Sequence, residues 1–113
     1  MHELAITQSI LDLVITHAER EQATRILEVH LIVGELNGVV PESMEFYFEH
    51  LSKGTIADGA RLVFEMVQVT ALCRSCNEQA PLSKNDWKCP FCGALGLKLI
   101  AGEELSVRCI EVE

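Results

Sequence analysis

The sequence lacks any apolar run approaching the roughly 18–20 residues that a membrane-spanning helix requires. Its first residues, Met1-His2-Glu3-Leu4, carry no basic stretch of the kind that begins a secretory signal. A phosphate-binding glycine loop and a recognisable pairing of nucleophile and base are also missing. These absences argue against a membrane protein, a secreted protein and an enzyme, and we expect a cytoplasmic protein without catalytic activity.

Positive charge is scarce in this chain. Lys and Arg number 9 against 17 Asp and Glu, which gives a formal net charge of −8. An acidic protein is repelled by phosphate backbones, and no basic, aromatic stripe offsets that repulsion. We therefore expect no nucleic-acid partner, whereas metal cations and basic protein surfaces are compatible with this charge.

Apolar residues recurring at three- and four-residue steps predict two helices in the 113 residues. The first helix runs from Glu3 to about Glu21, and the second begins at Pro41 and ends before Gly54. The expected stripe on the first helix consists of Leu4, Ile6, Ile10, Leu13, Val14 and His17. The expected buried face of the second consists of Met44, Phe48 and Leu51.

Alternating and β-branched residues predict strands over Arg25–Leu36, Ala60–Leu72 and Leu105–Val112. Between the last two strands lies a cysteine-bearing stretch rich in Pro, Gly, Asn and Ser. The pattern predicts an α+β fold, a three-stranded sheet covered by two helices, with an inserted four-cysteine, zinc-ribbon-like module. The expected domains are a base, residues 1–72 plus 101–113, and a module, residues 73–100.

Four of the five cysteines form two close pairs, Cys73-Arg-Ser-Cys76 and Cys89-Pro-Phe-Cys92, with twelve residues between the pairs. An odd count without a secretory signal fits a disulfide framework poorly. Two such turns can place four sulfurs around one ion. Four protein ligands leave no open coordination position for a substrate, and this arrangement is typical of structural zinc sites. The presence of two pairs argues against a redox-active dithiol. Their spacing is also compatible with a rubredoxin-like iron centre, so that interpretation stays open.

The module is too small to bury much apolar surface, so the metal must supply most of its folding energy, about 10–16 kcal/mol for small zinc modules. Its expected apolar core consists of Trp87, Phe91 and Leu95. The fifth cysteine, Cys109, alternates with apolar residues in the last strand and is predicted to be a buried thiol.

The first residues offer a second set of metal ligands. The Met1 amine, the His2 amide and the His2 Nδ1 can place three nitrogens in one plane, and Glu3 can add a carboxylate oxygen. Such a set suits Ni(II) or Cu(II). A histidine near a chain start is more often merely solvated, so the pattern alone leaves both interpretations open. No metal role is assigned to the other histidines, His17, His30 and His50.

Several motifs occur together in a fixed order: Met1-His2-Glu3-Leu4, Gly34-Glu35-Leu36, the two cysteine pairs and a closing Ile110-Glu111-Val112-Glu113. Over essentially the whole chain this combination resembles the hydrogenase maturation nickel chaperones of the HypA/HybF family. The resemblance implies a nickel metallochaperone whose base binds Ni(II) through Met1, His2 and Glu3. It also implies a structural Zn(II) on Cys73, Cys76, Cys89 and Cys92.

The same resemblance implies partners. These are the large subunit of [NiFe] hydrogenase, which receives the nickel, the GTPase HypB, and in some organisms the urease maturation proteins. The chain would act as a monomer or a homodimer. Rival interpretations from the residues are a zinc-ribbon interaction module and a rubredoxin-like iron protein.

One feature departs from the family pattern. Some relatives carry an acidic residue that affects nickel binding in the loop after the first strand. Here that loop reads Asn37-Gly38-Val39-Val40, with no carboxylate before Glu42, so no loop ligand is assigned.

Overall fold

The structure is a computed structural model that describes residues 3–83 and 86–113. The helices and strands are α1 (Glu3–Arg20), β1 (Ile26–Gly34), α2 (Pro41–Leu51), β2 (Arg61–Val67), β3 (Thr70–Cys73), β4 (Gln79–Pro81), β5 (Leu97–Ala101) and β6 (Leu105–Val112). The strands form two three-stranded sheets, β2-β1-β6 and β4-β3-β5. The predicted α+β class with two helices is confirmed. No helix in these ranges combines the length and apolar character needed to cross a membrane.

The chain divides into two compact units. Unit 1 comprises the residues up to Leu31, Val39–Glu65 and Val107–Glu113, and unit 2 comprises Ile32–Gly38 and Met66–Ser106. The sequence predicts a nickel-binding domain, residues 1–72 plus 101–113, and a zinc-binding domain, residues 73–100. This division remains a prediction, because the compact units do not show which segment binds which metal.

The core of unit 1 draws on β1 and on both helices. Val29 and Leu31 alternate along β1 and are fully buried, and the alternation continues to buried Val33, as the sequence predicts. From α2, Met44 and Phe48 are buried as well. Burying side chains of this size contributes about 1.5–3 kcal/mol each.

The buried stripe of α1 differs from the prediction. It consists of Thr7, Ile10, Leu11, Val14 and Ala18. Leu4 and Leu13 are 48% and 45% exposed instead. The apolar pattern was wider than one helix face, and its flanking positions point to solvent. Thr7 is tolerated in the core because its hydroxyl donates to the Glu3 carbonyl at 2.6 Å.

The predicted strand Ala60–Leu72 is wrong as a single element, because it is divided between the two sheets as β2 and β3. At the division Val69 is buried, and its N–H donates to the Glu35 carboxylate at 3.1 Å. The Val69 carbonyl accepts from the Leu82 N–H at 2.8 Å. The N–H and the carbonyl of Val69 therefore both have hydrogen-bond partners outside the sheet β2-β1-β6. The chain can begin the second sheet at this point without leaving a buried backbone group unpaired.

Unit 2 has its own small apolar core. Its buried members are Val69, Ala71 and Leu82, with Leu36, Leu97 and Leu99 packed against them. The predicted core of the module is wrong: Trp87, Phe91 and Leu95 are 42%, 66% and 72% exposed. In place of an aromatic core, β3 pairs antiparallel with both β4 and β5, and the cysteines lie at the end of that sheet.

Gly34, the first residue of Gly34-Glu35-Leu36, lies against the backbone of Gly102. A Cβ at position 34 would meet the Gly102 carbonyl carbon and oxygen at 2.2 Å. Backbone atoms cannot rotate away as a side chain can, so Gly34→Ala should lower the free energy of unfolding by about 2–3 kcal/mol. Urea denaturation measures this change.

Gly96→Ala is the matched control, because a Cβ there meets no atom within 4 Å and the backbone is not left-handed. Its free energy of unfolding should stay within about 0.5 kcal/mol of the wild type. Equal stabilities for the two variants would contradict the close approach at Gly34.

Candidate metal centre

The structure brings the four paired cysteines together. The sulfurs of Cys73, Cys76, Cys89 and Cys92 all lie within 4.8 Å of one another. Cys73 Sγ is 3.5 Å from Cys92 Sγ, and Cys76 Sγ is 3.7 Å from Cys89 Sγ. Four sulfurs at about 2.3 Å from a tetrahedral ion are separated by about 3.8 Å. The donor set therefore fits one tetrahedral ion with little adjustment.

Both cysteine pairs fold into the same kind of turn. The Asn77 N–H donates to the Cys73 carbonyl and the Gly93 N–H to the Cys89 carbonyl, each at 2.9 Å. These two donors have φ of 60° and 76°. Asn and Gly are the residues that most readily adopt this left-handed conformation. Asn77 and Gly93 each follow the second cysteine of a pair, so both turns end on a left-handed residue.

Backbone amides act on the first cysteine of each pair. The amide of Cys76, followed by that of Ser75, lowers the pKa of the Cys73 thiol to about 6, against the effect of desolvation. The amides of Cys92 and Phe91 lower the pKa of Cys89 in the same way. Because N–H donors stabilise thiolates, the turns favour the form of cysteine that binds metals.

The second cysteine of each pair behaves differently. The amide of Glu78 acts to lower the pKa of Cys76, but desolvation and the neighbouring thiols outweigh it and raise that pKa to about 12. The Ala94 amide likewise acts on Cys92, whose pKa is raised on balance by Cys73 and by desolvation. Four thiolates this close repel one another, so full ionisation requires a cation between them. The electrostatics of the four thiols thus favour the binding of a cation.

Cys109 stands apart from this cluster. It is exposed in β6, so the prediction of a buried thiol is wrong. β6 is an edge strand of the sheet β2-β1-β6. Leu105 and Val107 are half-buried as the alternation predicts, but the alternation breaks at Arg108 and Cys109, which are both exposed.

Of the expected nickel ligands, Met1 and His2 lie outside the described residues. Glu3 is the first residue of α1 and is partly buried. A carboxylate in the first turn is favoured by the helix dipole.

A second group of potential ligand atoms, absent from the sequence prediction, consists of Glu28, His30 and Glu111. Glu28 and His30 alternate on β1, which a sequence can reveal. Glu111 comes from β6, the neighbouring strand in the sheet, so only the strand order brings the three together.

Comparison with known proteins gives a consistent result. The family model described as "Hydrogenase/urease nickel incorporation, metallochaperone, hypA" matches residues 1–112. Two relatives are named "Hydrogenase maturation factor HypA". That of Geobacter sp. (strain M21) is 49% identical and that of Geobacter sulfurreducens is 45% identical, and each alignment covers 100% of both chains.

Two solved structures share the fold. "Solution structure of HypA protein" matches with a TM-score of 0.75 and 23% identity, covering 100% of this chain and 97% of that chain. "Solution structure of the Ni metallochaperone HypA from Helicobacter pylori" matches with a TM-score of 0.68 and 22% identity, covering 99% and 97%. At these identities the likeness establishes the fold alone.

Proposed function

Because the chain belongs to the HypA family of hydrogenase and urease nickel-incorporation metallochaperones, we propose that it binds Ni(II) and delivers it to the large subunit of [NiFe] hydrogenase during maturation. The observation that carries this proposal is the family match over residues 1–112. The family consists of metallochaperones, which fits the absence of a catalytic motif from the sequence.

The proposed nickel ligands are the Met1 amine, the His2 amide and Nδ1, and a Glu3 carboxylate oxygen. Chelate rings of five and six members join the three nitrogens in a plane, a donor set that Ni(II) and Cu(II) prefer. Placing such a set at a chain end suits a carrier, because an acceptor can displace the ligands one at a time.

The proposed ion among the sulfurs is Zn(II), held by Cys73, Cys76, Cys89 and Cys92 in a structural role. Sulfur separations of 3.5 and 3.7 Å support a tetrahedral ion, and four protein ligands leave no position for exchange or catalysis. Elemental analysis of the purified protein should give one zinc per chain. Iron in this site would contradict the assignment and would be recognised by visible colour.

The proposed partners are the hydrogenase large subunit, the GTPase HypB and, where urease is made, urease maturation proteins, all in the cytoplasm. The formal net charge of −8 supports basic docking surfaces on these partners.

A nickel-transfer assay tests the function. The zinc-loaded chain, carrying one equivalent of nickel, is mixed with nickel-free precursor of the hydrogenase large subunit, and the metal on each isolated protein is measured by mass spectrometry. Nickel should move to the precursor faster than from a small-molecule chelate of equal affinity. An apo-urease recipient in parallel reveals whether urease is also served. Transfer no faster than from the chelate would contradict a delivery role.

Nickel binding should weaken in acid, because the amine and the His2 imidazole must both lose protons to bind. Protons compete for the amine below about pH 8 and for the imidazole below about pH 6.5, the ordinary pKa values of these two groups. With affinity in the micromolar range or tighter at pH 7.5, calorimetry at pH 6.0 should give an affinity at least about tenfold lower. An unchanged affinity would exclude an imidazole ligand.

A further inference from the structure

Glu28, His30 and Glu111 converge within unit 1, and none of them belongs to the sites described above. His30 Nε2 lies 3.1 Å from Glu28 Oε1 and 3.7 Å from Glu111 Oε1. All three potential ligand atoms lie within 4.8 Å of one another. One imidazole nitrogen and two carboxylate oxygens thus lie close enough together to bind one ion.

The spacing of these atoms fits a single bound ion. Nitrogen and oxygen ligands at about 2.0–2.2 Å are separated by about 3 Å at right angles and about 3.5 Å in a tetrahedron. The observed separations of 3.1 and 3.7 Å lie close to these values. The side chain of Glu111 is 60% exposed, so it can adjust without disturbing the core.

Arg61 places the carboxylate of Glu28. Its guanidinium binds Glu28 Oε2, which leaves Oε1 directed at His30. The hydrogen bond from Arg61 is the largest cause of a lowered pKa at Glu28, so this carboxylate stays ionised at neutral pH. A carboxylate fixed by a second partner through its other oxygen is a common arrangement among metal ligands.

We propose that Glu28, His30 and Glu111 form a further divalent-cation site, with Arg61 as a positioning residue. One imidazole and two carboxylates suit a borderline ion such as Co(II) or Zn(II). Three protein ligands leave coordination positions for water or for a group from another molecule, so the ion would exchange readily, unlike one held by four thiolates.

Cobalt titration tests this site without interference from the others. The protein is loaded with zinc at the cysteines, and His2→Ala removes the proposed N-terminal nickel chelate. Calorimetry should then give one saturable Co(II) site per chain. Paramagnetic broadening of amide signals should centre on residues 28–30 and 110–112. Because His2 is already replaced, this result is independent of the N-terminal nickel assignment.

Variants assign the ligands. His30→Gln and Glu111→Gln should each weaken Co(II) binding at least about tenfold, and Arg61→Gln should weaken it about tenfold with the ligands intact. The matched control is Glu65→Gln. Glu65 is similarly exposed, at 56%, and forms its own ion pair with Arg108 at 3.2 Å.

The absence of saturable Co(II) binding would overturn the proposal, as would an equal loss of Co(II) affinity in Glu65→Gln and Glu111→Gln. Intense sulfur-to-cobalt absorption would also overturn it, because it would place the ion on the cysteines. Because the side chain of Glu111 is exposed, Glu111→Gln should fold normally. The test therefore does not depend on the folding of His30→Gln. Unchanged Co(II) affinity in folded Glu111→Gln would reduce the cluster to an ion-pair network.

Discussion

Replacing Cys73 with Ser should unfold the sheet β4-β3-β5 under conditions in which the wild type is stable. Structural zinc sites in small modules contribute about 10–16 kcal/mol, as much as the whole stability of an ordinary domain, about 5–15 kcal/mol. The apolar cluster of unit 2 is small, and its buried members are Val69, Ala71 and Leu82. Such a core cannot offset the loss of the ion.

Hydrogen exchange measures this collapse segment by segment. In Cys73→Ser, amides of Leu97–Ala101 should lose protection, and zinc content should fall below one per chain. Amides of α1 should stay protected, because its buried partners in unit 1 include no cysteine among the described residues. Removing zinc from the wild type with a strong chelator should give the same pattern.

Cys109→Ser is the matched control for this substitution. Cys109 is exposed and lies outside the four-sulfur cluster. It should keep one zinc per chain and the wild-type exchange pattern. A zinc-free Cys73→Ser protein with full protection in Leu97–Ala101 would mean that the metal is dispensable for the fold.

His2→Ala should weaken nickel binding at least about 100-fold, which corresponds to about 2.7 kcal/mol. The substitution removes the imidazole ring of the proposed chelate and with it one of three planar nitrogens. Zinc content and the free energy of unfolding should stay unchanged. Calorimetric nickel titration of untagged, zinc-loaded protein with a verified Met1 measures the loss.

Two controls sharpen the assignment at the chain start. His50→Ala should bind nickel normally, because His50 is not among the proposed nickel ligands. It lies in the last turn of α2, where its ring is tilted by 30° against that of Phe46 with centroids 5.1 Å apart. An N-terminal tag should weaken binding much as His2→Ala does, since it removes the free amine. Retention of wild-type affinity by His2→Ala would exclude the chelate.

Local patterns predicted the parts of the fold that depend on one element at a time. Val29, Leu31 and Val33 alternate within a single strand, so their burial can be read from sequence. The division at Val69 cannot be predicted in this way, because apolar residues continue through it. At the division the Val69 N–H donates to the carboxylate of Glu35, which is distant in sequence, so a local pattern does not reveal this contact.

The same distinction applies to the metal ligands. Each Cys-x-x-Cys turn is local, so spacing predicted that four sulfurs could meet. The exposure of Trp87, Phe91 and Leu95 was not predictable, because the sequence does not reveal that a sheet and a four-sulfur cluster replace an aromatic core. The alternation of Glu28 and His30 is visible in the sequence, but their proximity to Glu111 depends on the pairing of β1 with β6 and was not predictable.

X-ray absorption at the nickel edge tests most directly which part of the chain carries the cargo. Untagged protein with zinc at the cysteines receives one equivalent of nickel. The spectrum should contain nitrogen and oxygen neighbours only, with the planar signature of an amide-bound ion. Sulfur neighbours around the nickel, accompanied by release of zinc, would instead place the cargo on the cysteines.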